Sequence, residues 1–109
     1  MTVTLATWNV NSLKVRLTHL LDWLAAHRAD IICLQETKLV DEQFPVAALD
    51  EAGYAAAFTG QKTYNGVALL TRRDTVPAPA DVVSALPASY EDTQKRLIAA
   101  TVGPLRVVC

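Results

Sequence analysis

Four consecutive apolar residues, Ile31-Ile32-Cys33-Leu34, sit between Asp30 and the polar step Gln35-Glu36-Thr37-Lys38. A strand with one face in water alternates apolar and polar side chains, so an unbroken apolar run of strand length needs cover on both faces. That requirement predicts a parallel or mixed central sheet. Upstream, the β-branched and apolar residues 3–8 read as another strand, broken by Asn9-Val10-Asn11-Ser12. Leu13, Leu17, Leu20, Leu21 and Leu24 then recur at helical spacing to about His27, with Ser12 or a neighbour placed to cap the helix. Strand, helix and strand in this order form a β-α-β unit. A right-handed crossover makes its strands parallel, so both end at one edge of the sheet.

The remaining pattern continues the α/β theme. Pro45 opens a short helix that runs to Ala52 and closes at Gly53. Tyr54, Ala56 and Phe58 alternate as a third strand, and residues 66–71 read as a fourth. Residues 73–93 carry Pro77, Pro79 and Pro87 and read mostly as loop, with a weak helical signal at 81–86. Residues 97–102 and 105–109 form a hairpin turned at Gly103-Pro104. The order β-α-β-α-β-β-β-β indicates an α/β domain with a mixed sheet, and 109 residues suffice for one domain but not two.

Charge and composition exclude more than they select. A net charge of −1 gives no general argument for nucleic acid, so any DNA contact has to come from local clustering of the ten lysines and arginines. The apolar runs are too short to span a bilayer, and no basic region precedes an apolar stretch at the start. Cys33 and Cys109 are too few for a disulfide framework and read as buried reduced thiols of a cytosolic protein.

Ligand sites in α/β sheets collect at the carboxyl ends of strands. Asn9 ends the first strand and Glu36 the second, so an amide and a carboxylate share one rim. Mg²⁺ takes oxygen ligands, keeps several waters, and is commonly held by one or two carboxylates together with a substrate phosphate. Glu36 with Asn9 fits that chemistry. On spacing alone, a glutamate after a buried strand is more often a helix cap or a surface charge. An asparagine there is ordinarily a turn residue.

Five segments tip the balance: Thr7-Trp8-Asn9-Val10-Asn11-Ser12-Leu13, Leu34-Gln35-Glu36-Thr37-Lys38, Gly60-Gln61-Lys62, Tyr64-Asn65-Gly66-Val67-Ala68-Leu69-Leu70 and Gln94-Lys95-Arg96. In sequence and order they resemble the exodeoxyribonuclease III and apurinic/apyrimidinic endonuclease family, within the endonuclease/exonuclease/phosphatase superfamily. The resemblance runs along the whole chain. It implies the amino-terminal half of a four-layer α/β sandwich with mixed sheets, residues 1–109 being part of one domain. It also implies Mg²⁺-dependent DNA phosphodiester hydrolysis in base excision repair, with Mn²⁺ as a substitute ion. The partner would be double-stranded DNA with abasic sites or 3′ ends, and the full-length protein a cytoplasmic monomer that does not act on membranes.

Carried over by residue, Glu36 matches the family's magnesium-binding glutamate, and Asn9 the asparagine that orients the metal site and the catalytic acid. Asn11 stands where some relatives have an aspartate supporting the metal, and no direct ligand role is assigned to it. Lys14, Tyr64, Asn65 and Arg96 match positions at the DNA phosphates. Arg16, Arg28 and Arg73 read as solvated surface charges, and His19 and His27 as surface residues of the first helix. The family's later motifs, which supply the water-activating aspartate, the transition-state histidine and a phosphate-binding tyrosine and asparagine, do not occur. The chain therefore reads as truncated, inactive alone and aggregation-prone, with the apolar face of Ile31, Leu69 and Val108 lacking a partner. Two alternatives stay open. One is a phosphatase or lipid phosphodiesterase of the same superfamily, against which Tyr64-Asn65-Gly66-Val67-Ala68 speaks. The other is a non-catalytic half-domain.

Overall fold

The computed structural model describes residues 2–61, 63–84 and 96–109. Along the chain run β1 (Leu5–Asn9), α1 (Leu13–His27), β2 (Ile31–Gln35), a 3₁₀ turn (Asp41–Gln43), α2 (Val46–Glu51), β3 (Tyr54–Thr59), β4 (Val67–Arg72), β5 (Ala80–Val83), β6 (Ala99–Val102) and β7 (Leu105–Val108). One sheet has the order β1-β2-β4-β3 and the other β5-β6-β7. β1 and β2 are parallel with Asn9 opposite Gln35, whereas β4 runs antiparallel to both β2 and β3. The mixed sheet expected from the apolar run is present.

Burial explains why that run had to be apolar on both sides. Ile32 and Leu34 point into a core with Leu13, Leu20 and Leu24 of α1, Leu49 of α2, and Ala68 and Leu70 of β4. Ile31 and Cys33 point the other way, into a second core with Val67, Leu69, Ile98, Ala100, Val102 and Val107. Each fully buried leucine or isoleucine contributes about 1.5–3 kcal/mol relative to exposure. The helical leucines divide accordingly. Leu13, Leu20 and Leu24 are buried, while Leu17 and Leu21 pack at the margin. Arg28 ends α1 in the left-handed region and returns its N–H to Leu24. No helix among the described residues is long and apolar enough to cross a membrane.

Three expectations are corrected. Ile31 and Leu69 do have a packing partner, because the β6–β7 hairpin lays Ile98, Ala100, Val102 and Val107 over them. The face left open is instead the outer side of the second sheet, where Val83 and Val108 are exposed. Residues 80–83 form strand β5 rather than loop or helix, pairing Ala80 with Thr101 and Val83 with Ala99. Pro77 and Pro79 precede it and are compatible with an edge strand, which needs no complete ladder. Residues 85 and 86 of the helical signal lie outside the described residues. Finally, Cys33 and Cys109 are joined by a disulfide across a Cα separation of 5.8 Å. Stacking of the two sheets brings together thiols 76 residues apart, a contact that sequence spacing does not encode.

Asp30 anchors the sheet at the end opposite the strand termini. Its carboxylate accepts the Thr4 N–H at 2.8 Å and the Thr75 hydroxyl at 2.6 Å. Its backbone carbonyl accepts the Arg72 N–H at 2.9 Å. The Thr4 N–H, the Thr75 hydroxyl and the charge of Arg72 hold the carboxyl below its ordinary value of 3.8, against a smaller opposing effect of burial. A carboxyl with a depressed native pKa contributes stability above its unfolded value and loses it as pH falls through the native value. Asp30→Asn should therefore lower the melting temperature at about pH 7, with the gap to wild type closing toward about pH 3. A gap that stays constant over that range would show that the carboxylate's charge plays no part.

Candidate phosphate and metal cleft

Because β1 and β2 are parallel and in register, the chain leaves both at the same edge of the sheet. The segment that follows β2 is then held from both sides. Val10, Ser12 and Leu13 donate their N–H groups to the carbonyls of Gln35, Glu36 and Thr37 at 3.0, 2.9 and 3.0 Å. On the other side, Thr37 and Lys38 donate to the carbonyls of Gly66 and Asn65 at 3.2 and 2.8 Å.

This bracing supports unfavourable backbone. Asn11, Ser12, Glu36, Lys38 and Asn65 all have positive φ, between 46° and 89°. Such conformations cost non-glycine residues roughly 1–2 kcal/mol each and persist only where the surroundings impose them. The conformations on either side of Thr37 bury its side chain and leave Glu36 and Lys38 lining a cleft. Gly66 has φ +94°, and a Cβ there would collide with the Thr37 hydroxyl. Glycine is thus needed for both conformation and space.

Glu36 is the cleft's carboxylate. One of its oxygens accepts a hydrogen bond from the Asn9 side-chain amide, whose own oxygen accepts the Asn11 N–H at 3.1 Å. The other lies 3.7 Å from Lys38 Nζ, which donates to Asn11 Oδ1 at 2.6 Å. Asn9, Glu36, Lys38 and Asn11 therefore form one polar circuit around the ends of β1 and β2. The Glu36 side chain stays 43% exposed, so its carboxylate is reachable from solvent.

Across a cavity of about 480 Å³ stand Tyr64, Asn65 and Arg96. Arg96 Nε donates to Asn65 Oδ1 at 3.0 Å, and Asn65 Nδ2 donates to Gln61 Oε1 at 3.3 Å. The guanidinium is thereby held through Nε, and among the described residues its two terminal nitrogens make no hydrogen bond, a fork geometry that could meet an anion. Tyr64 is two-thirds exposed at the mouth.

Four of the residues picked from sequence, Glu36, Tyr64, Asn65 and Arg96, line this cleft, and Asn9 is bonded to the first of them. Lys14 is not among them. It sits on the first turn of α1 beside a separate groove with Leu39, Gln43 and Pro45. Lys62, Gln94 and Lys95 lie outside the described residues. Sequence reasoning missed Lys38, although its place two residues after Glu36 in the same motif was the available signal. A third groove, between β1 and α1, is lined by Trp8, His19 and Trp23 and offers no carboxylate.

The donor set suits a hard cation that keeps much of its hydration. Among the described residues no three His, Cys, Asp or Glu side chains cluster as a closed metal cage. One exposed carboxylate across a cleft from an arginine could hold Mg²⁺ with phosphate and water completing its shell.

Residues 6–108 match the Endonuclease/Exonuclease/phosphatase family. The chain is 38% identical over 93 residues to exodeoxyribonuclease III of Haemophilus influenzae, covering 85% of this chain and 33% of that protein. Among solved structures, a 3′ phosphatase from Neisseria bound to a product DNA hairpin superposes with TM-score 0.90 at 48% identity, covering 98% of this chain and 40% of that one. An AP endonuclease from Archaeoglobus fulgidus gives TM-score 0.89 at 36% identity with the same coverage of each chain. The chain thus spans one third to two fifths of the length of the relatives it matches. With the sequence motifs, the two stacked sheets and the strand-end cleft all in agreement, the chain belongs to the Endonuclease/Exonuclease/phosphatase family.

Proposed function

We propose that this chain carries the metal- and phosphate-binding part of a Mg²⁺-dependent DNA-repair nuclease that hydrolyses phosphodiesters at abasic sites and 3′ ends. The observation that carries the proposal is the cleft itself. A carboxylate held by Asn9 faces an arginine held by Asn65 across a space wide enough for a phosphate. The relatives support DNA rather than a lipid as the source of that phosphate, since they are named as an exodeoxyribonuclease, an AP endonuclease and a phosphatase bound to DNA.

Each residue has a definable task in this reading. Glu36 would hold Mg²⁺, with Mn²⁺ able to replace it. Asn9 fixes the rotamer of that carboxylate, as groups behind metal ligands commonly do. The bound ion would supply charge neutralisation on the phosphate oxygens and leaving group. Arg96 orients the backbone phosphate without reading bases, and Tyr64 and Asn65 flank it. Lys38 limits how far the Glu36 carboxylate can swing when no cation is bound. Among the described residues lining the cleft none is placed to activate water, since Glu36 is the only carboxylate among them and none is a histidine. We therefore infer that these 109 residues bind but do not turn over, and that a cytoplasmic, monomeric longer protein is the active form.

Two outcomes test this. In a protein with the full length of its relatives, Glu36→Gln should reduce Mg²⁺-dependent cleavage of an abasic duplex on the order of 10²-fold or more. Asn9→Ala should weaken Mg²⁺ affinity roughly 10–100-fold. Wild-type Mg²⁺ dependence in Glu36→Gln would remove the metal assignment.

The phosphate contacts are separable by duplex length. Arg96→Ala should weaken binding equally for unrelated sequences and lower the slope of log affinity against log salt by about 1. Lys14→Ala should do so only with a duplex long enough to leave the cleft and reach α1. An unchanged slope for Arg96→Ala would make it a surface charge and nothing more.

A further inference from the structure

The chain has two cysteines, and both stand at the contact between its two sheets. Cys33 lies on β2, three residues before Glu36, opposite Leu69 of β4 and buried in the layer between the sheets. Cys109 follows β7, exchanges backbone hydrogen bonds with Ile98 at 2.7 and 3.2 Å, and is partly exposed. Ile98 is two residues beyond Arg96. The bond between the cysteines therefore runs from the strand that leads into one wall of the cleft to a residue paired with the segment that leads out of the other.

We propose that Cys33 and Cys109 are a reversible redox pair whose disulfide, formed by exchange with a low-molecular-weight disulfide, locks the Glu36 and Arg96 walls together. The Cα separation of 5.8 Å lies within the range that a disulfide spans without backbone movement. Bond formation and cleavage thus leave the fold in place. Packing of Ile31, Leu69, Ile98 and Val107 holds the sheets together in either state.

The difference in burial sets the order of events. The Cys109 thiolate attacks the small disulfide, forming a mixed disulfide and releasing one small thiol. The Cys33 thiolate then attacks the Cys109 sulfur and releases the second. The two protein thiols are oxidised, the small disulfide is reduced to two thiols, and the protons of Cys33 and Cys109 pass to the departing thiolates. In a reducing compartment the glutathione pool holds the pair open, so the closed form registers exposure to oxidant. What the lock does to a bound phosphate rests on the function proposed above, whereas the bond and the stiffening do not.

The 109-residue chain is equilibrated with reduced or oxidised glutathione, then assayed for free thiols, thermal melting and amide hydrogen exchange. With oxidised glutathione the wild type should show no free thiol and no retained glutathione. Cys33→Ser should instead keep one glutathione on Cys109, visible by mass. The oxidised wild type should melt on the order of 10 °C above the reduced form. Cys109→Ser should melt alike in both conditions. Exchange at Ile98 and Cys109 should quicken about 10-fold or more on reduction. Two reactive thiols after oxidised glutathione, or equal melting of both wild-type forms, would overturn the redox pair. A closed bond with unchanged exchange at Ile98 and Cys109 would overturn the lock.

Discussion

Five backbone hydrogen bonds hold residues 35–38 between two neighbouring loops, and the rest of the site is arranged by them. Three come from the β1–α1 turn, through the N–H groups of Val10, Ser12 and Leu13. Two run to the carbonyls of Asn65 and Gly66 just before β4. The parallel pairing of β1 with β2 places the first set, and the antiparallel pairing of β2 with β4 places the second. This bracing keeps Glu36 and Lys38 in left-handed conformations that an unsupported loop would abandon. Burial of Leu34, Leu69 and Leu70 on the two faces of the sheet supplies the stability that offsets the strain.

The same bracing links fold to chemistry. Thr37 is turned inward against Gly66, so its neighbours Glu36 and Lys38 are left on the cleft. Asn9 and Asn11 arrive from the other strand end and complete a polar circuit in which the carboxylate has few orientations left. Under the proposed function, a cation held by the preorganised Glu36 and the guanidinium held by Asn65 would meet the phosphate charge with little reorganisation. Membership of the Endonuclease/Exonuclease/phosphatase family agrees with that geometry.

Much of the central sheet was legible because its signals are local. The apolar run at Ile31–Leu34 required cover on both faces, and the leucine spacing of α1 identified one of the covers. Gly103-Pro104 announced the hairpin that forms the other. Strand β5 was hidden by the prolines around it, since its extended form depends on pairing with Thr101 and Ala99 rather than on its own residues. The cysteine pair was hidden for a related reason, as stacking of sheets leaves no periodic trace. Within the site, strand-end logic brought Glu36 and Asn9 to one rim, and their metal reading came from resemblance to a family. Tyr64, Asn65 and Arg96 came from resemblance to a family, and nothing in their spacing placed them opposite Glu36. Lys14 came from the same resemblance and lies on α1 beside a separate groove.

The Glu36 wall of the cleft is shaped by the bracing of residues 35–38 and not by α1 or the second sheet. Amide hydrogen exchange of Gly66→Ala measures that directly, because the substitution forces Thr37 from its place while touching neither core. The amides of Ser12, Leu13, Thr37 and Lys38 should lose protection together by about 10-fold or more, with Cys33 and Leu69 unchanged. Full protection at those four amides, or an equal loss spread over both sheets, would contradict it.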